Sequence, residues 1–139
     1  MSPATRRLLA LALVAYAVLL LVVLLNPSPA APSTLVSKVA DLGLRLDLPA
    51  VLLAGDRVEF GLNVLAFMPV SFLGSLLRPS IRVTTWTAAG FAGSFLIEVA
   101  QVLLPDRSAT HSDVVANTLG AALGAVAAWV VSTVAARRQ

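Results

Sequence analysis

Residues 8–25 read LLALALVAYAVLLLVVLL, eighteen positions without a charge, with Arg6 and Arg7 immediately before them. An apolar run of this length is a membrane-spanning helix. The competing reading is a cleaved secretory signal, because the small residues of NPSPAAPS follow. An apolar core longer than the roughly 7 to 15 residues of a signal's hydrophobic region favours a retained span.

The rest of the chain agrees with a membrane setting. Of its 139 residues 58% are hydrophobic and 12% charged, about half the charged fraction of a soluble domain. With about 20 apolar residues needed per span, four crossings and short connectors nearly exhaust the chain, leaving no room within it for a separate soluble enzymatic domain. Cysteine is absent and histidine occurs once, so disulfides, thiolate metal sites and a histidine-based metal site are not expected, nor is a cofactor. The net charge of +3 comes from ten basic residues that are scattered or sit beside apolar runs, not from a stripe that would bind nucleic acid.

Three further spans are expected. Residues 57–77 follow Asp56, which with Glu59 has the spacing of an N-terminal capping box. Residues 83–104 end at Pro105. Residues 113–135 follow Thr110, His111 and Ser112, and Asp113 suits the positive end of that helix dipole. No internal repeat is evident, which gives an inverted-repeat transporter little support. In the first connection Leu35, Val36, Val39 and Leu42 recur at helical spacing, with Gly43 as a stop, giving a short interfacial helix or else a loop packed on the bundle. The expected fold class is therefore all-α, a polytopic bundle of four transmembrane helices with a short interfacial helix in the first outer loop, forming one domain over residues 1–139.

Arg6, Arg7, Arg78, Arg82, Arg137 and Arg138 flank the ends that share one side of a four-span chain. Lys38, Arg45, Arg57 and Arg107 are spread through the other connections. The positive-inside rule then puts both termini in the cytoplasm and residues 26–56 and 105–112 outside.

Polar residues within or beside the spans carry the functional signal, because ionisable groups in hydrocarbon are costly and normally face a partner or a wet cavity. Asn63, Glu98 and Asn117 fall within about 6 to 10 Å of the outer ends of their helices. Gln101 shares a helical face with Glu98, and the short third connection makes Arg107, His111 and Asp113 overhang the same place. Asn63, Glu98, Gln101, Arg107, Asp113 and Asn117 are thus expected to form one polar cluster, with His111 the weakest candidate. Gly120 and Gly124 form a GxxxG pair, and Ala89, Gly90, Gly93 and Ser94 thin one side of the third span. Close packing within the chain suits these small residues better than dimerisation. Pro69 frees a backbone carbonyl one turn earlier, or simply kinks its helix.

The segments NVLAFMPVSF (63–72), IEVAQ (97–101) and RSATHSDVVANTLGAALG (107–124) resemble the VanZ-like family of bacterial membrane proteins, named for an accessory teicoplanin-resistance protein. The match to its motifs falls on Asn63, Phe67, Pro69, Glu98, Gln101, Arg107, Asp113, Asn117, Thr118, Gly120 and Gly124, within residues 57–135. Ser71 stands where the family often has glycine, and Thr110 stands where many members have a first aspartate. The resemblance implies a multispanning envelope protein from a family linked to lower susceptibility to lipoglycopeptide antibiotics, and it implies no reaction.

Three functions fit these residues. The cluster could bind the polar part of an envelope lipid, a lipid-linked cell-wall precursor or a lipoglycopeptide, with Arg107 pairing an anionic group through its planar fork. It could serve an intramembrane hydrolase or transferase with Glu98 or Asp113 as general base. It could instead be structural, an ion pair and amide clamp in a scaffold that engages unknown protein partners. The absence of cysteine, of a histidine-rich metal site and of a serine in a recognised nucleophile setting favours binding over catalysis.

Overall fold

A computed structural model describes residues 1–26, 30–102 and 111–137. Pro105, Arg107 and Thr110 lie outside the described residues. The fold is all-helical, with no strand among those residues: α1 (Pro3–Leu24), α2 (Ala30–Arg45), a 3-10 turn (Ala50–Leu52), α3 (Gly55–Leu77), α4 (Val83–Val102) and α5 (His111–Ala136). Three helices, α1, α3 and α5, are long and apolar enough to cross a membrane. At 20 residues α4 is as long as a span requires, but Thr84, Thr85, Thr87, Ser94, Glu98 and Gln101 dilute its apolar character.

Several boundaries differ from the sequence expectations, each for a local reason. α1 starts at Pro3, earlier than residue 8, because the Ser2 side chain accepts the Thr5 amide at 3.1 Å and proline suits the first helical position. Asp56 and Glu59 do not form the expected capping box. Ala54 is the N-cap of α3 and makes no side-chain cap bond, so Asp56 falls in the first helical turn, near the positive dipole end. α2 is a 16-residue helix that runs through Gly43. Asp47, at a φ of 56°, supplies the left-handed residue just beyond it, and the amides of Leu46 and Leu48 both return to the Gly43 carbonyl. A β-carbon at Gly43 would meet the end of the Leu53 side chain, which would have to move aside.

The core lies along α5. Its buried residues form two rows at four-residue spacing, Ala116, Gly120, Gly124 and Ala128 in one and Asn117, Ala121 and Ala125 in the other. Such rows are the ridges with which helices interdigitate. One side meets α3 in the most extensive helix pair of the molecule, with Gly120 against the Val64 carbonyl and Phe67, and Gly124 against the Met68 carbonyl and Ser71. The other meets α4, where Gly90 receives the Ala121 methyl group. These pairings make α3 and α5 parallel and α4 antiparallel to both. The GxxxG glycines therefore serve contacts within the chain. Ser71 is buried, and its hydroxyl donates to the Met68 carbonyl at 3.2 Å beside Gly124.

The described apolar core consists of Val58, Phe67 and four alanines, whereas Leu11, Val18, Leu65, Leu96 and Val131 are among many large aliphatic side chains that face outward. A water-soluble fold would be unstable with that inside-out distribution, but lipid tails are a suitable solvent for it.

Candidate functional site

The five helices enclose a cavity of about 670 Å³ at the end formed by the C-termini of α1 and α4 and the N-termini of α3 and α5. That convergence follows from chain direction. Residues near the start of α3 and α5 must meet residues near the end of α4 when it runs the other way. Asn63, Glu98, Gln101, Asp113 and Asn117 all line this cavity. His111 is exposed at the start of α5 and is not part of the lining.

Hydrogen bonds tie most of these groups across helices. The Asn63 amide donates to Asp113 Oδ1 at 2.8 Å, joining α3 to the first turn of α5. Asp113 thus meets both a hydrogen-bond donor and the positive end of its own helix, two reasons for a carboxylate to be tolerated there. Asn117 is 4% exposed and donates from Nδ2 to Ser94 Oγ at 2.8 Å, joining α5 to α4. Its Oδ1 is buried without a partner among the described residues. A buried amide oxygen left unmet costs about 1 to 3 kcal/mol, so this atom calls for a donor. Gln101 Nε2 donates to the Leu24 carbonyl at 2.8 Å. Its amide thereby satisfies one of the carbonyls that the C-terminus of α1 leaves without an intrahelical donor. Glu98 is half-buried on the wall one turn from Ser94.

The cavity also uses residues that polarity within the last three spans does not reveal. Tyr16 of α1 lines it and donates its hydroxyl to the Ala66 carbonyl at 2.9 Å, fixing α1 against α3. Tyr16 is the one tyrosine of the chain and lies in an otherwise non-polar run, a signal available in the sequence. Glu59 lies one turn from Asn63 on the same face, a spacing that links it to the cluster. From α2, Ser33 and Ser37 contribute hydroxyls along one edge.

Three carboxylates, of Glu59, Glu98 and Asp113, line the cavity, with no lysine, arginine or histidine among its described lining residues. Its described wall is therefore rich in acceptors and suited to hydroxyl or ammonium donors. No group of three histidine, cysteine, aspartate or glutamate residues placed to hold a metal occurs among the described residues.

An all-helical chain with an outward-facing aliphatic surface and polar side chains gathered in a cleft between its helices is a membrane protein. The chain belongs to the VanZ/LLP1 family, whose model matches residues 13–132. The matched stretch takes in the second half of α1 and all of α2 as well as the motif-bearing segments, so the described cavity wall falls within the family's span. Among curated proteins and among solved structures, none matches the chain.

Proposed function

We propose that this VanZ-like protein is a four-span protein of the bacterial cell membrane that binds the polar part of an envelope lipid, a lipid-linked cell-wall precursor or a lipoglycopeptide in the acceptor-rich cavity. The observation that carries the reading is the buried Oδ1 of Asn117, without a partner among the described residues, on a cavity lined also by Glu98, Asp113 and Asn63. Amino-sugar and peptide portions of such ligands carry the hydroxyl and ammonium donors this wall suits. Arg107, in the connection outside the described residues, is the residue the sequence offers for an anionic portion. A role in teicoplanin susceptibility belongs to this proposal.

In this reading α4 is the fourth span. Ser94 and Gln101 are buried, while Phe91, Phe95, Leu96, Val99 and Val102 face outward, as a helix between a polar cavity and lipid requires. α2 lies at the membrane interface, with Leu35 and Leu42 exposed beside Lys38 and Asp41. The structural alternative is favoured by one observation: the bonds of Asn63, Gln101 and Asn117 all join different helices. The enzymatic alternative would use Glu98 or Asp113, and Asp113 already has Oδ1 engaged by Asn63.

Glu98→Gln separates these readings, because it keeps size and most hydrogen-bonding capacity while removing charge. Native mass spectrometry of the full chain, with teicoplanin and a polyprenyl-linked amino-sugar precursor as probes, should show a complex with wild type and its loss in the variant. Thermal unfolding of the unliganded variant should stay near wild type. A structural ion pair predicts instead a loss of about 3 to 5 kcal/mol if burial is deep. A well-folded variant that bound both probes as wild type does would refute the role of Glu98.

A further inference from the structure

We infer that the opposite end of the bundle holds a second, separate site, which takes a phosphate group. A cavity of about 310 Å³ lies there between the last turns of α3, the connection 78–82, the first turn of α4 and the C-terminal half of α5. Each of its polar side chains can donate a hydrogen bond. Arg82 is the charged residue among them, beside the hydroxyls of Ser75, Ser80 and Ser132, with no acidic residue among the described lining residues. The other cavity has three carboxylates and no basic residue among its described lining, so the two ends are chemically opposite.

Two independent features point to an anion. The first is the start of α4. The Arg82 carbonyl accepts the amides of Thr85 and Trp86 at 3.0 and 3.2 Å, while the Val83 and Thr84 amides find no backbone acceptor among the described residues. Free N–H groups and the helix dipole together make such an end a site for phosphate. The second is Ser75, 8% exposed, which lines the cavity and whose Oγ has no hydrogen-bond partner. A buried hydroxyl is unfavourable without a partner, and a phosphate oxygen would supply one. Arg82 adds the planar donor fork that matches phosphate.

The level of the cavity in the bundle matches a lipid headgroup. Trp129, largely exposed, stands at its mouth, and tryptophan concentrates where acyl chains give way to headgroups. A membrane lipid with an anionic phosphate and a free phosphate in solution share the chemistry of the site, and the experiment distinguishes them.

The full chain in detergent is titrated with phosphatidic acid, with diacylglycerol of the same tails, and with inorganic phosphate, and its unfolding temperature is followed. A saturable rise with phosphatidic acid and none with diacylglycerol is expected. An equal saturable rise with inorganic phosphate would assign the site to the free anion. Ser75→Ala and Arg82→Gln should each weaken the apparent affinity about tenfold, the loss expected for one hydrogen bond to a charged group. Ser75→Ala should leave the unliganded protein at least as stable as wild type, since it removes an unmet buried hydroxyl. Arg45→Gln, an exposed arginine of α2, should change nothing. Equal response to phosphatidic acid and diacylglycerol, wild-type affinity in both site variants, or an equal loss in Arg45→Gln would overturn the inference.

Discussion

Gly120 shows how a single missing side chain determines what a helix can approach. A β-carbon there would meet the Val64 carbonyl and Phe67, and backbone cannot move aside as a flexible side chain can. Gly93, half-buried in α4, has nothing within 4 Å of the same position. Gly120→Ala should therefore lower stability by about 1 to 3 kcal/mol through overpacking. Gly93→Ala should raise it by about 0.5 to 1 kcal/mol, since alanine is the better helix former. Denaturation of both variants in the same detergent checks the pair. Equal effects would mean that α3 and α5 do not pack as closely as this geometry requires. Spacing within the sequence identified Gly120 and Gly124 as packing residues. It could not separate Gly90, which receives Ala121, from Gly93, because the difference depends on how α4 is rotated against α5. The acceptor left over on Asn117 was equally out of reach, since it depends on which end of the amide meets Ser94.

Among the elements, α1 is attached in an unusual way. It has no buried residue, and two of its bonds to the bundle pair a polar side chain with a main-chain carbonyl: Tyr16 to Ala66, and Gln101 to Leu24. Such an element should be the first to loosen. Gln101→Leu puts an apolar side chain of similar bulk in place of the amide and strands the Leu24 carbonyl. It should cost about 1 kcal/mol, the net worth of a typical hydrogen bond. Hydrogen exchange should rise in the last turn of α1 while the α3 and α5 amides stay protected. Uniform acceleration in all three helices would show that Gln101 supports the whole bundle and not α1 alone. The apolar runs revealed the helices themselves, because lipid demands long uncharged segments whatever the neighbours are. Local chemistry that decides where a helix begins or ends was less accessible. Gly43 looks like a stop in the sequence but sits inside α2, because the helix continues to Arg45 and the left-handed residue beyond it is Asp47. For the same reason the Asp56 and Glu59 pair reads as a cap only if the helix begins after Asp56, and it begins at Gly55.

For the whole molecule, the decisive issue is whether α4 crosses. If α1, α3, α4 and α5 all span, the two termini share a side with the connection 78–82, and α2 lies on the other. If α4 does not span, the termini lie on opposite sides. The native chain has no cysteine, so each introduced thiol is the only one. Ser2, Ser37, Ser80 and Arg137 are all exposed and report the four positions needed. With an impermeant thiol reagent added to intact cells, Ser37→Cys should react, while Ser2→Cys, Ser80→Cys and Arg137→Cys should be protected until the membrane is opened. The direction rests on six arginines flanking the protected ends, against four basic residues elsewhere. Labelling of Ser2, Ser80 and Arg137 variants but not Ser37 would keep four spans and invert the orientation. Opposite behaviour of the Ser2 and Arg137 variants would remove α4 from the membrane. In that case α3 and α5 would have to cross in opposite directions, against the parallel pairing of Val64 with Gly120 and Met68 with Gly124. The Ser94–Asn117 bond then argues against the three-span arrangement, because it sets α4 alongside a spanning helix with its polar face inward and its phenylalanines outward. Without lipid around them, Phe91 and Phe95 would stack in water at a ring separation of 6.4 Å with about half of each side exposed, a cost that a fourth span removes.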